Sequence, residues 1–288
     1  MDQENLKNLL IRNGLKPNFT YGQNFLVDDA VLDGIISAAQ ISASDQILEV
    51  GPGFGNLTRK LCERAGFVLS LEKDPKFLLA LKAIKKDFPK NFRFEIADAL
   101  EFNYLMEFET WNLKHGSTSN LRDSFYKVVA NIPYYITGKI LEMLMTATFK
   151  PSSIIILTQK EVAERIVAKA GSLSVLAISV QIFGAPKIIS FVPSKAFYPE
   201  PKVDSAILHI QLYKKSKFNI TDEKSFFRLI KACFAGKRKQ IHNTLVNNLK
   251  LGKYQVQKAL SNLEIDPKSR PQELTIDNWV KLSNQIFN

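Results

Sequence analysis

From residue 46 to residue 191 the chain alternates short apolar runs with longer amphipathic ones. Residues 46–50, 67–71, 92–96, 126–130 and 154–157 are rich in Ile, Leu, Val and Phe and have the length of strands. Residues 56–65 and 75–86 predict helices, with Pro75 in the first turn of the second, where a missing N–H is harmless. This alternation predicts an α/β fold, a mostly parallel sheet with helices on both faces. Such sheets bind ligands beyond the carboxyl ends of their strands. Residues 206–212 are a further strand, and after residue 220 the pattern is helical only, over 222–234, 238–249, 255–263 and 277–286. Pro193, Pro199 and Pro201 mark the change, so a boundary is expected near 193–220. The expected division is 1–208, with an N-terminal arm over 1–45, and an all-helical 209–288. Residues 103–125 break the rhythm, and Trp111 to Asn120 reads as an exposed loop.

With 288 residues, 45% of them hydrophobic, the chain can build one large core or two modest ones. No apolar run approaches the roughly 20 residues of a membrane-spanning helix. Met1-Asp2-Gln3-Glu4-Asn5 is acidic and polar, unlike a secretory signal. Cys62 and Cys233 give neither a zinc spacing nor a disulfide framework, which suits a reducing cytoplasm. His115, His209 and His242 are far apart, so no metal site is expected. The net charge of +11 is uneven: residues 187–288 hold 18 Lys and Arg against 8 Asp and Glu, and residues 1–186 hold 21 against 20. A basic C-terminal third on a near-neutral body points to a polyanionic partner, although a solubilising surface has the same composition.

The candidate chemistry falls at the strand ends. Gly51, Gly53 and Gly55 follow the first strand and open a helix, and glycine lets backbone approach a ligand with no Cβ in the way. A dinucleotide fingerprint would need glycine at position 56, which is Asn56, so a pyrophosphate cradle is disfavoured. Glu72 ends the second strand, where a carboxylate can accept from ribose hydroxyls. Asp98 follows the third, where it can accept from an adenine amine. Either alone also fits a solvated strand end, but their ordered placement favours a ligand with adenosine and no diphosphate, S-adenosylmethionine.

Asn131-Ile132-Pro133-Tyr134 follows the fourth strand. The Asn131 side-chain carbonyl and a backbone carbonyl near Ile132–Pro133 can accept both hydrogens of an exocyclic amine. Pro133 stiffens the turn, and Tyr134 can stack on the base. Such a base must first leave its stack. The competing reading is an ordinary turn in which Asn131 caps and Tyr134 packs. In Phe197-Tyr198-Pro199-Glu200-Pro201 two prolines hold the chain extended, which would present Phe197 to the other face of the base; a plain strand entry has the same look. The basic run 235–240 would contact phosphate at a helix start or form a solvated helix end.

In this order the segments Gly22-Gln23-Asn24-Phe25-Leu26, Leu48-Glu49-Val50-Gly51-Pro52-Gly53, Leu71-Glu72-Lys73-Asp74, Ala97-Asp98-Ala99, Asn131-Ile132-Pro133-Tyr134, 197–205 and 234–245 resemble the KsgA (RsmA) family of small-subunit rRNA adenine N6,N6-dimethyltransferases. The resemblance covers roughly 16–286. It implies a Rossmann-like S-adenosylmethionine-dependent methyltransferase sheet over 1–208 and a basic helical rRNA-binding domain over 209–288. It implies donor-binding roles for Asn24, Leu26, Gly51, Gly53, Glu72, Asp98 and Asn131; Asn24 and Leu26 enter only in this way. It also implies two adjacent adenosines near the 3′ end of 16S rRNA, each methylated twice, within an immature 30S subunit, by a cytoplasmic monomer. The chain departs from the family pattern in lacking a basic run before Gly22, in the length of 103–125 and at Gly236. The alternatives are a 23S rRNA adenine N6-methyltransferase of the erythromycin-resistance type and a non-catalytic RNA-binding assembly factor on the same fold.

Overall fold

Strands covered on both faces are apolar almost throughout, and the central strands of this chain are of that kind. The computed structural model describes residues 3–12, 15–18, 22–114, 126–236 and 238–287. Among them β2 (Gln46–Val50), β3 (Phe67–Glu72) and β6 (Ser153–Gln159) are buried along nearly their whole length, and so is most of β5 (Tyr126–Asn131). With β4 (Phe92–Ile96), β7 (Gly184–Val192) and β9 (Ser205–Leu212) they form a seven-stranded sheet in the order β4-β3-β2-β5-β6-β9-β7. The β4-β3-β2-β5-β6 part is parallel, and β9 runs antiparallel to β6. The chain leaves β2 toward β3 and β4, then returns to the other side of β2 as β5. A crevice therefore opens between the carboxyl ends of β2 and β5, where the strand order reverses.

The chain divides into two units, Met1–Ala163 with Pro186–Leu212, and Glu164–Ala185 with Tyr213–Asn288. This is not a single cut in chain order, because residues 164–185 pack with the C-terminal helices. The first unit carries α1 (Gln3–Arg12), α2 (Asp29–Ala39), α3 (Asn56–Cys62), α4 (Leu78–Asp87), α5 (Tyr104–Lys114) and α6 (Thr137–Thr146). Asp28 caps α2 by accepting from the amides of Ala30 and Val31. A two-residue strand, β1 (Phe25–Leu26), pairs with β8 (Phe197–Tyr198).

The expected exposed loop at 111–120 is corrected in its first part. Residues 104–114 are helical, with Tyr104, Phe108 and Asn112 buried at four-residue spacing and Trp111 stacked on Phe67 at 5.1 Å. Residues 115–125, including His115, lie outside the described residues. The helix expected from 56 ends at Cys62, where Ala65 N–H donates back to Leu61 O at 2.8 Å.

In the second unit α8 (Val175–Gln181), α9 (Glu223–Phe234), α10 (Ile241–Leu249), α11 (Lys253–Asn262) and α12 (Ile276–Phe287) share one apolar core; α7 (Lys160–Ile166) spans the change from the first unit to the second. Asp222 caps α9, and fully buried Trp279 of α12 packs on Phe234 at 5.7 Å. The helix expected over 238–249 begins only at Ile241. Arg238, Lys239 and Gln240 precede it, in a turn closed by Lys239 N–H to Gly236 O at 2.8 Å; Lys237 lies outside the described residues. Trp279→Ala removes a large side chain from this core. It should lower the unfolding free energy by about 3–5 kcal/mol, read from the urea midpoint.

Candidate functional site

The turn after β2 is shaped by glycines. Gly51, Gly53 and Gly55 have φ of +72°, +55° and +81°, the left-handed region in which a side chain is strained. A Cβ at Gly55 would also collide with Ile84 Cδ1. The turn is fastened at its ends: Gly51 N–H donates to Leu71 O at 2.9 Å, and Gly55 N–H to Pro52 O at 2.8 Å. Asn56, opening α3, donates its side-chain amide to Leu26 O at 3.0 Å, which ties the N-terminal arm over the turn. The arm is tied again where Gln23 Nε2 donates to Asp74 Oδ2 at 3.0 Å.

Three carboxylates serve this side of the crevice, each in a different environment. Glu72 is buried at the end of β3. Its Oε2 accepts from Gly53 N–H at 3.0 Å and its Oε1 from Asp74 N–H at 2.9 Å. Burial holds its pKa above the ordinary value, and those backbone amides pull against the rise. A carboxylate has about four lone-pair sites, so acceptor capacity remains for a hydroxyl. Asp98 is half-buried. Lys73 Nζ lies 2.7 Å from its Oδ2, and Leu100 N–H donates to Oδ1 at 3.0 Å. The Lys73 contact, then the Leu100 amide, hold its pKa low, so it stays an ionised acceptor.

Glu49 is the residue that the sequence reading missed. It is 1% exposed in the middle of an apolar strand, and a charge in such a strand was the available signal. Its Oε2 accepts from Thr58 Oγ1 at 2.7 Å and Ser70 Oγ at 2.6 Å. Its Oε1 is buried with no hydrogen-bond partner among the described residues. Burial pushes its pKa up to about 7.

On the other side of the crevice Asn131 ends β5 and donates Nδ2 to Asn24 O at 3.4 Å. Asn131 lines the cleft, and its Oδ1 is the acceptor of the same amide. The Pro133 carbonyl takes Ile136 N–H at 3.1 Å, and the Ile132 carbonyl precedes it in the turn. Tyr134 is half-buried and its hydroxyl lies 2.7 Å from Ser205 Oγ, a fully buried partner that fixes the ring.

One cleft in the first unit is lined by every expected donor and base residue except Phe197. Phe197 is corrected: it is 2% exposed and packs in the hydrophobic core with Leu26, Leu32 and Leu157. Pairing of β8 with β1 turns it inward, opposite Leu26, whatever extension the prolines impose. Among the described residues no cluster of His, Cys, Asp and Glu could hold a metal, and no helix is long and apolar enough to cross a membrane.

The model of the ribosomal RNA adenine dimethylase family matches residues 14–287. The chain belongs to this family. It is similar to ribosomal RNA small subunit methyltransferase A of Dehalococcoides mccartyi (strain CBDB1), 39% identical over 269 residues that cover 93% of this chain and 88% of the relative. The protein of that name from Clostridium botulinum (strain Okra / Type B1) is 38% identical over 291 residues, covering 99% of each chain. Among solved structures, a dimethyladenosine transferase from Plasmodium falciparum superposes with a TM-score of 0.74 at 27% identity, covering 90% of this chain and 95% of that one. The 23S rRNA methyltransferase ErmE, at 24% identity and a TM-score of 0.69 over 92% of this chain and all of that one, shows the same fold. The chain is therefore an rRNA adenine dimethyltransferase with a Rossmann-like sheet and C-terminal helices.

The methyl donor of such an enzyme, S-adenosylmethionine, suits the residues present in this dimethylase. Gly51 and Gly53 line the cleft with no side chain, the carboxylates of Glu72 and Asp98 line it as hydrogen-bond acceptors, and buried Glu49 Oε1 lacks a partner among the described residues. Because the folded-state pKa of Glu49 is raised, the folded protein holds its proton longer than the unfolded chain does. Stability from this group is therefore full below pH 4.5 and is lost as pH rises through about 7. Unfolding free energy should drop by on the order of 1–3 kcal/mol between pH 5 and pH 8. Glu49→Gln should flatten that slope in urea titrations at the two pH values.

Proposed function

We propose that this chain dimethylates the N6 amines of two adjacent adenosines near the 3′ end of 16S rRNA, within an immature 30S subunit, as a cytoplasmic monomer. The observation that carries the reading is the meeting of two arrays across the switch point. Gly51, Glu72 and Asp98 form one and the Asn131–Tyr134 turn the other, with the Asn131 amide already turned by Asn24 O. The relatives named above support the small subunit as the target. The basic helical unit supplies cations for rRNA phosphates.

The chemistry follows from what an adenine amine lacks. Its lone pair is delocalised into the ring, so the nitrogen is a poor nucleophile. Asn131 Oδ1 and the Ile132 carbonyl accept its two hydrogens, which holds the nitrogen pyramidal with its lone pair directed out of the ring plane. Tyr134, its hydroxyl fixed by Ser205, stacks on the ring. Glu72 accepts from the donor's ribose hydroxyls, Asp98 from its adenine amine, and the Asn24–Leu26 arm covers it. S-adenosylmethionine, when bound, supplies a methyl group on a positively charged sulfur. The amine nitrogen bonds to that carbon as the carbon–sulfur bond breaks, and the proton leaves the nitrogen for solvent afterwards. No strong general base is required. A monomethylated amine keeps one hydrogen, so the second transfer proceeds with one acceptor engaged.

Asn131→Ala should reduce methyl transfer to 30S particles from cells lacking the activity by at least about 100-fold, the scale of losing one positioned acceptor. Donor affinity by calorimetry should be only partly weakened. Unchanged turnover would remove Asn131 from this role. Mapping dimethyladenosine to 23S instead of 16S rRNA would overturn the assigned substrate.

A further inference from the structure

Tyr135 has no part in the chemistry above. It follows Tyr134 in the single turn Tyr134–Ile136 and lines the same cleft, yet it is 56% exposed, as a residue on the rim would be. An aromatic ring open at the mouth of a cleft has a face on which a base can stack. The ring is seated all the same. Gly22, at φ +58°, lies against it, and a Cβ there would stand 3.4 Å from Tyr135 Cδ1 and 3.7 Å from Pro133 Cβ. The arm and the Asn131–Tyr134 turn therefore back the ring on one side while the rest of its surface faces outward.

We propose that Tyr135 is a stacking platform for the nucleotide adjoining the adenosine held at Asn131, and so a positioning residue for the RNA. This rests on the binding of adenine at Asn131. A base that leaves its stack to enter the pocket uncovers one face of its neighbour. Chain connectivity keeps that neighbour within one nucleotide of the pocket mouth, and Tyr135 is one residue from Tyr134. An aromatic face accepts any base, because every base has a π surface. Where two target adenosines adjoin, one platform receives whichever of the two is outside the pocket.

The competing role is structural, with Tyr135 merely holding the arm over Gly22. Two variants separate the roles: Tyr135→Phe keeps the ring, and Tyr135→Leu keeps apolar bulk against Gly22 but removes the π face. Methyl transfer is measured on immature small-subunit particles, and donor Kd by calorimetry. The Phe variant should match wild type. The Leu variant should lose roughly 5- to 150-fold in kcat/KM for the particle, the fold-change expected of one base–aromatic stack, with donor Kd within about twofold. Particles reconstituted with an abasic site in place of one of the two adenosines have already lost the contact. On them the Leu variant should match wild type. An unchanged kcat/KM for the Leu variant on intact particles, an equal loss on abasic particles, or a donor Kd weakened in parallel would each overturn the proposal. If wild-type protein methylated no adenosine in the intact particles, adenine binding at Asn131 would itself fall, and the platform with it.

Discussion

The buried carboxylate of Glu72 is the interaction on which the site depends. Taking a carboxylate out of water costs several kcal/mol unless its oxygens find donors. Here the donors are the backbone amides of Gly53 and Asp74, so the charge is held only while the turn after β2 and the end of β3 keep their shapes. Gly53 can aim its N–H at Glu72 because it sits in the left-handed region. From Asp74 the connections continue outward. Its other carboxylate oxygen receives Gln23 Nε2, which anchors the arm, and the arm's Asn24 carbonyl receives Nδ2 of Asn131. Donor side and base side are thus ends of one hydrogen-bonded path. The contact that holds the Asn131 amide connects to a carboxylate two strands away.

How much of this was legible in the sequence depends on the range of the interactions involved. The parallel strands were readable because burial on both faces leaves a local mark, an unbroken apolar run. The glycine turn, Glu72, Asp98 and Asn131 were readable because a switch-point crevice places ligand groups directly after strands. The helix at 104–114 was not read. Its buried Tyr104, Phe108 and Asn112 are interleaved with exposed Met106 and Leu113, which blurs the amphipathic stripe, and the polar run that follows looked like part of the same loop. Phe197 was misplaced for a different reason. Its local segment is extended as expected, but strand pairing with residues far away in sequence decides which way the ring faces. Glu49 went unnoticed inside a run that reads as core, since only the fold reveals that one of its oxygens faces no donor. Asn24 and Leu26 carry no local signature at all; they line the cleft because the arm crosses the strand ends.

The two sides of the cleft also divide the titrating groups between them. Glu49, Glu72 and Asp98 all lie on the donor side, two with pKa values raised by burial and one held low by Lys73 and a backbone amide. The acceptors on the base side are an amide oxygen and a peptide carbonyl, neither of which titrates near neutral pH. The phenol of Tyr134 there is driven further from ionisation by its burial. This division suits the chemistry. A carboxylate in the place of Asn131 would become a donor once protonated, and would then compete with the amine it is meant to hold. The amide oxygen of Asn131 accepts whatever the pH, while one of its two N–H groups donates to Asn24 O. Methyl transfer to a weakly nucleophilic amine needs a fixed direction for the lone pair more than it needs proton transfer. Acceptors that cannot change protonation state supply that direction at any pH at which the fold survives.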